Sequence, residues 1–295
     1  MWLGFIGVLI FSLTLPATRF AVVGLEPAWV ALGRAVLAGL ISLAFLALTQ
    51  QKRPNRQQLK SIAAIIFGVV FGFPLFTSLA MRHTDASHGA VIIGLLPMVT
   101  AMISARLHRE TLSRGFWTCS VVGALVVLVY AISVSKGGLG WADLYLVLAV
   151  FTSAIGYAVG GKLAQELGGW QTIAWALTYS LPIMIGPWLY LSIGVDFEKV
   201  SLSAWLGFGY VAIFSQLIGF FFWYGGMAKA GVARVSQVQL LQLFLTLIFS
   251  SLINGEQVGW TTWSVAFVVV ALVWLIKNEP QQVLAKLLRK SPGTT

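Results

Sequence analysis

Apolar runs of about twenty residues recur from one end of this 295-residue chain to the other. A helix needs about 20 apolar residues to cross the ~30 Å hydrocarbon layer of a bilayer. Charged residues make up only 9% of the chain and hydrophobic ones 58%, whereas a soluble domain carries about 25% charge. So few charges could not cover a water-facing surface. In lipid the backbone must satisfy its own polar groups, which leaves helices or closed barrels. The period-two alternation of barrel strands is absent. The chain therefore reads as an all-α integral membrane protein.

Ten transmembrane helices are expected: Trp2–Val23, Ala28–Thr49, Ile62–Ala80, Ala86–Leu107, Phe116–Val134, Trp141–Gly160, Trp170–Ile193, Ala204–Met227, Val232–Ile253 and Trp260–Ile276. The first run begins almost at once, with no basic stretch before it and no A-x-A cleavage site. It reads as a retained helix and not a removed signal peptide.

Lys and Arg set the orientation. Lys52, Arg53, Arg56, Lys60, Arg106, Arg109, Arg114, Lys162, Lys229, Arg234, Lys277, Lys286, Arg289 and Lys290 fall on the side of the N-terminus. Only Arg19, Arg34, Arg82, Lys136 and Lys199 fall on the other, a ratio of 14 to 5. Basic loops stay in the cytoplasm, so both termini are expected there, N-in/C-in. The tail Glu279–Lys290 has an apolar face of Val283, Leu284, Leu287 and Leu288 beside basic residues. It suits either an interfacial helix on anionic lipid or a solvated tail.

A second regularity runs along the chain. A shift of 146 residues lays Met81 on Met227, Thr100 on Thr246, Ser104 on Ser250 and Glu110 on Glu256. The order of elements is the same in both stretches: a small-residue turn, an apolar span, Thr and Ser four apart, then Glu. This is the trace of a duplication. Five spans per half is an odd number, so the halves enter the membrane in opposite directions, as two inverted five-helix repeats. The expected division is 1–135 for the first repeat, 141–277 for the second and 278–295 for a cytoplasmic tail. Two repeats in one chain let a monomer suffice.

Several function classes drop out. The net charge of +10 belongs to short membrane loops, so no nucleic-acid partner is expected. Membrane lipid and a small-molecule substrate are. Cys119 is the single cysteine, which excludes an internal disulfide and a cysteine metal set and suggests a small buried packing residue. No nucleophile elbow, Walker loop or zinc motif is present, so no enzyme activity, catalytic residue, metal or cofactor is expected.

The nine acidic residues, Glu26, Asp85, Glu110, Asp143, Glu166, Asp196, Glu198, Glu256 and Glu279, all lie in loops or near span ends. A mid-span carboxylate is what a proton-driven exporter of cationic drugs ordinarily needs. Its absence favours a substrate that is neutral or zwitterionic overall. The mid-span polar groups are neutral instead. Gln239, Gln242, Thr246 and Ser250 step by three or four and share a helix face, and Thr100 and Ser104 are the repeat counterparts of the last two. Such groups either hydrogen-bond between helices or line a cavity. Gln216 lies near the middle of its span. Phe220, Phe221, Phe222, Trp223 and Tyr224 follow it and circle the helix, serving as a lipid-facing belt or, for one or two rings, as a wall for a flat substrate. Pro16, Pro74, Pro97, Pro182 and Pro187 interrupt spans. Ala31, Ala35 and Gly39 form a small-residue row for close helix packing, as do Gly68 with Gly72 and Gly156 with Gly160.

Arg19 and Arg34 lie within a turn or two of the non-cytoplasmic surface. There they would snorkel to water or pair with Glu26; an anchor for a substrate carboxylate is the alternative. His83, Asp85 and His88 share one short turn whose spacing does not suit a metal.

Pro97 followed thirteen positions later by Glu110, Leu25-Glu26-Pro27 before Arg34, Trp223 before Gly231-Val232-Ala233-Arg234, and Gly255-Glu256 are together similar to the drug/metabolite transporter superfamily, in its ten-helix branch with two EamA-type repeats. The resemblance covers about residues 1–277. Leu243 departs from it, standing where such repeats usually carry the proline that matches Pro97. The resemblance implies a secondary transporter or exporter of small metabolites in a cell inner (cytoplasmic) membrane, with a central cavity lined by helices 1, 3, 4, 6, 8 and 9. Some bacterial members export amino acids, aromatic ones among them, and the neutral polar stripe and aromatic run here look similar to that branch.

The expected function is therefore transport of amino acids by alternating access. Thr100, Gln216, Gln239, Gln242 and Thr246 would bind polar groups, and Tyr157, Trp223 and Tyr224 an apolar side chain. A transporter of a nucleotide sugar, organic anion or cationic drug is the alternative. An anion transporter would need an inward-facing Lys or Arg pair near mid-span, which the sequence does not display. A scaffold without transport would tolerate loss of the glutamine stripe.

Overall fold

The structure is a computed structural model that describes residues 2–107, 113–134, 140–230, 235 and 238–277. Among these residues it is helical throughout, with no strand. The helices are α1 (Trp2–Gly24), α2 (Pro27–Leu48), α3 (Arg56–Met81), α4 (Ala86–Leu107), α5 (Arg114–Val134), α6 (Trp141–Leu167), α7 (Gly169–Leu191), α8 (Leu202–Lys229), α9 (Leu240–Asn254) and α10 (Trp260–Lys277). Seven of them, α1 to α6 and α8, are long and apolar enough to cross a membrane, and α9 and α10 are shorter apolar helices. Glu110, the motif at 231–234, the segment at 135–139 and the tail at 278–295 lie outside the described residues.

Helix ends follow local chemistry. Pro27 opens α2 without losing a needed donor, and the Glu26 carboxylate accepts the Trp29 N–H at 2.7 Å. Asn55 and Gln58 form a reciprocal capping box that starts α3 at Arg56, six residues before the expected apolar run; this polar first turn escapes a reading by hydropathy. Helix α6 likewise continues past Gly160 to Leu167. Gly168, at φ +100°, makes the abrupt turn into α7, a conformation that only glycine adopts readily.

The interruptions carry more information than the ends. Helix α1 is broken at Leu13, just before Pro16, and α4 at Gly94–Leu95, just before Pro97. Helices α3 and α8 each contain a π-helical stretch, Ile66–Gly72 and Tyr210–Ile218. In the first, the Phe73 N–H bonds to the Gly68 carbonyl. In the second, the Gly219 N–H bonds to the Phe214 carbonyl. Both bonds reach five residues back, and the two bonds and the ends of the stretches, Gly72 and Ile218, are offset by the same 146 residues found in the sequence, the second stretch starting two residues earlier in that register. π-turns inside α-helices occur frequently at functional sites.

Packing pairs the helices in a regular way: α2 runs against α7, α1 against α8, α3 against α6, α4 against α6 and α9, and α5 against α10. Small residues allow the closest approaches. A Cβ on Gly39 would lie 2.9 Å from the Leu177 carbonyl of α7, and one on Gly68 2.5 Å from the Thr152 carbonyl of α6. The innermost large side chains include Trp223, Tyr224 and Arg34, the last being a charge inside the bundle.

Candidate functional site

The glutamine stripe on α9 faces a narrow cleft between α1, α4, α9 and α10, to which the expected cavity helices α3, α6 and α8 contribute no lining residue. Gln239, Gln242 and Thr246 line it with Leu15, Ala90, Gly94, Pro97 and Leu243. The break before Pro97 brings α4 to its far wall. Its volume is about 20 Å³, room for about one water molecule. Gln239 and Thr246 are buried, and Gln242 is half-buried with Oε1 lacking a hydrogen-bond partner. Ser250 completes the stripe but donates to the Thr246 carbonyl at 2.7 Å. Thr100, on α4, donates to the Leu96 carbonyl of its own turn at 2.8 Å and is not among the residues lining the cleft.

The aromatic run divides by depth. Phe220, Trp223 and Tyr224 are buried, and Phe221 and Phe222 are half-buried. Tyr157 of α6 packs on Trp223 at 5.6 Å and on Phe220 at 6.1 Å. Phe11 of α1 packs on the same two rings from its own helix, at 6.1 and 4.9 Å. Tyr157 and Phe11 are themselves 146 residues apart, a signal that could have added Phe11 to the expected site. Leu15 of the cleft lies one turn beyond Phe11, so the aromatic cluster and the amide cleft adjoin along α1. The Tyr224 hydroxyl donates to the Gly156 carbonyl at 3.2 Å, whereas the Trp223 Nε1–H has no partner.

Gln216 is fully buried in the π-turn of α8. Its Nε2 donates to the Val69 carbonyl in the π-turn of α3 at 3.2 Å, and its Oε1 is unpartnered. The expected site residues thus form two adjoining groups, Gln239, Gln242 and Thr246, and Tyr157, Trp223 and Tyr224. Gln216 sits at the crossing of α3 and α8, and Thr100 is turned to its own helix.

Charged residues gather at one end of the bundle. Arg19 pairs with Asp85 at 2.6 Å and with Glu256 at 3.5 Å, and also donates to the Thr84 carbonyl. It does not pair with Glu26, which caps α2. The Glu256 carboxylate accepts the Ala86 and Ser87 N–H groups, both at 2.8 Å, at the positive start of α4. His88 Nε2 meets Asp143 Oδ1 at 2.6 Å, the ring stacks on Tyr130 at 5.4 Å, and Asp143 Oδ2 accepts the Gly140 N–H at 2.9 Å. His88 and Asp143 are 55 positions apart in sequence, and nothing in the chain marks them as partners. An open vestibule of about 640 Å³ reaches this pair past Arg19, Arg82 and His83.

Arg34 does not snorkel and does not pair with Glu26. It is 1% exposed and donates from Nη2 to Ser215 Oγ at 2.9 Å. Ser215 Oγ shares a second hydrogen bond of 2.9 Å with Thr14 Oγ1. An inward-facing cation therefore exists, although the sequence alone did not display one. Cys119, expected to be buried, is half-buried.

The EamA-like transporter family matches residues 1–132 and again 140–277. The chain is 41% identical over 270 residues to a Bacillus subtilis protein named as the uncharacterized transporter YdeK, covering 92% of this chain and 94% of that one. It is 26% identical over 284 residues to a Synechocystis protein, also named as an uncharacterized transporter, covering 86% of this chain and 82% of that one. A crystal structure matches with a TM-score of 0.65 over 94% of this chain and 96% of that chain. At 14% identity that likeness is one of fold alone.

Proposed function

We propose that this chain, which belongs to the EamA-like transporter family and is a multi-pass membrane protein, carries amino acids, aromatic ones included, through the centre of the bundle by alternating access. One observation carries the reading: an amide-lined cleft and a buried aromatic cluster adjoin along α1, and both retain unpartnered polar atoms. A buried polar atom without a partner costs about 1–3 kcal/mol. Among the described residues such atoms are Gln242 Oε1 in the cleft and Trp223 Nε1 in the cluster, with Gln216 Oε1 a third at the crossing of α3 and α8. The polar head of a zwitterionic substrate carries donors for the two Oε1 atoms and an acceptor for the Trp223 Nε1–H, and a flat apolar side chain would pack on the rings.

Ten spans in two inverted repeats, divided near residues 135–140, with both termini in the cytoplasm of an inner membrane, remain part of the reading. Support comes from the paired π-turns 146 residues apart, from the α1–α8 and α3–α6 packing, which exchange under that shift, and from the two family matches. Repeats of this kind bind substrate at their interface and rock about it. The monomer would work alone and without a cofactor.

The test is counterflow. Proteoliposomes loaded with unlabelled neutral amino acids are offered the labelled ones. Accumulation above empty liposomes, reduced at least tenfold in Gln242→Ala with the protein still folded, is the expected result. No exchange across the panel by folded protein would overturn the amino-acid reading.

A further inference from the structure

Arg34 is the buried cation that the amino-acid reading leaves without a role. Among the described residues its Nε and Nη1 have no hydrogen-bond partner, and no carboxylate lies within ion-pair distance. Of the described acids near that end of the bundle, Asp196 meets Lys199, Glu198 is exposed, and the others are engaged elsewhere. Glu26 holds the Trp29 N–H, Asp85 and Glu256 meet Arg19, and Asp143 meets His88. A guanidinium remains charged, and burying a charge without an anion is costly. Charges retained inside a membrane bundle mark substrate pathways.

The position of Arg34 fits that role. Ser215, its one hydrogen-bond partner, precedes Gln216 in the π-turn of α8. Thr14, which bonds to Ser215, precedes Leu15 of the amide cleft. Two hydrogen bonds therefore connect Arg34 to the helices that build the proposed site. The unpartnered atoms are also complementary in kind. Arg34 offers donors to an anion, and the Oε1 atoms of Gln216 and Gln242 offer neutral acceptors to an ammonium group.

We infer that Arg34 anchors the carboxylate of the transported substrate, so that the carrier selects molecules bearing a carboxylate over their uncharged amides. A planar guanidinium with free N–H groups suits a carboxylate better than any other side chain does. The inference rests on the transporter reading of the same site and adds the charge it requires. Arg34 is enclosed in this conformation, so the carboxylate reaches it when α1, α2 and α8 part.

The experiment follows thermal unfolding of the purified full-length protein. Neutral L-amino acids are each compared with their own amides, and simple monocarboxylates such as phenylacetate are added to the panel. Wild type is expected to be stabilised by acids at concentrations at least tenfold below those needed for the amides. Arg34→Gln should lose that preference while keeping an unliganded midpoint at or above wild type, because no paired charge is broken. Arg34→Lys should keep the preference at weaker affinity. Stabilisation by monocarboxylates but not by amino acids, lost in Arg34→Gln, would uphold the anchor and remove the amino-acid reading. Amino acids and their amides acting alike would overturn the anchor and leave the amino-acid reading standing. So would an unchanged preference in Arg34→Gln, or a lowered midpoint with the preference intact, which would mark Arg34 as a structural brace. Absence of stabilisation by every carboxylate would overturn the anchor as well.

Discussion

The Gln216 side chain donates to the backbone carbonyl of Val69 at 3.2 Å, and this bond joins the π-turn of α8 to the π-turn of α3. Each π-turn closes a bond to the fifth residue back and shifts the helix locally out of register, a feature frequent at functional sites. Gln216 lies at the crossing of two such segments, where a rocking motion between helices would concentrate its change.

Gln216→Leu separates stability from function. The substitution removes one hydrogen bond, worth about 1 kcal/mol net, and also removes the unpartnered Oε1, which costs a similar amount. Stability in detergent should stay within about 1 kcal/mol of wild type. Counterflow should fall at least tenfold. A large loss of stability with normal transport by the remaining folded fraction would make Gln216 a structural tie and nothing more.

Glu256 is a different kind of link. It lies beyond the end of α9 and caps the start of α4 through two N–H groups, with Arg19 alongside. Glu256→Ala leaves both donors bare and should cost about 2 kcal/mol, the upper range for losing a helix cap. Glu256→Gln keeps an acceptor and should cost less than half as much. Denaturation in mixed micelles would measure both, and equal effects would mean that the charge and not the cap matters.

Glycine positions offer a control that is independent of any substrate. Gly68→Ala would put a Cβ 2.5 Å from the Thr152 carbonyl and 2.8 Å from the Gly156 nitrogen, both of them backbone atoms on α6. Neither atom can rotate away, so overpacking should cost about 1–3 kcal/mol. Gly209, on α8, has helical φ and ψ and nothing within 4 Å of its added Cβ, and Gly209→Ala should be neutral or stabilise by up to about 1 kcal/mol. A midpoint for Gly68→Ala at or above wild type would contradict the α3–α6 packing.

The outline of the fold was legible because hydropathy and a repeated residue order are local or periodic properties of a chain. The glutamine stripe was legible for the same reason: Gln239, Gln242 and Thr246 recur at helical spacing. What stayed hidden depends on packing between distant segments. Position along a helix put Arg34 near a surface, but α8 covers it. His88 and Asp143 are partners only because α4 and α6 meet. The π-turns were also invisible, since a bond to the fifth residue back carries no residue signature. The start of α3 at Arg56 could have been found from Asn55 and Gln58, a capping pattern that an apolar-run reading passes over.

Trp223 and Tyr224 are adjacent in sequence, both fully buried, yet their polar atoms differ in a way that substitution can separate. The Tyr224 hydroxyl is committed to the Gly156 carbonyl, so Tyr224→Phe should cost about 1 kcal/mol of stability and leave transport near wild type, the ring remaining in place. The Trp223 Nε1–H is unpartnered, so Trp223→Phe deletes an unsatisfied donor and offsets part of the loss of ring volume. Its main effect should fall on transport, as a several-fold rise in the half-saturating concentration for aromatic amino acids. Counterflow titrations on both variants, normalised to folded protein, decide the matter. A larger transport defect in Tyr224→Phe than in Trp223→Phe would mean that the Gly156 bond, and with it the α6–α8 contact, is the element that moves.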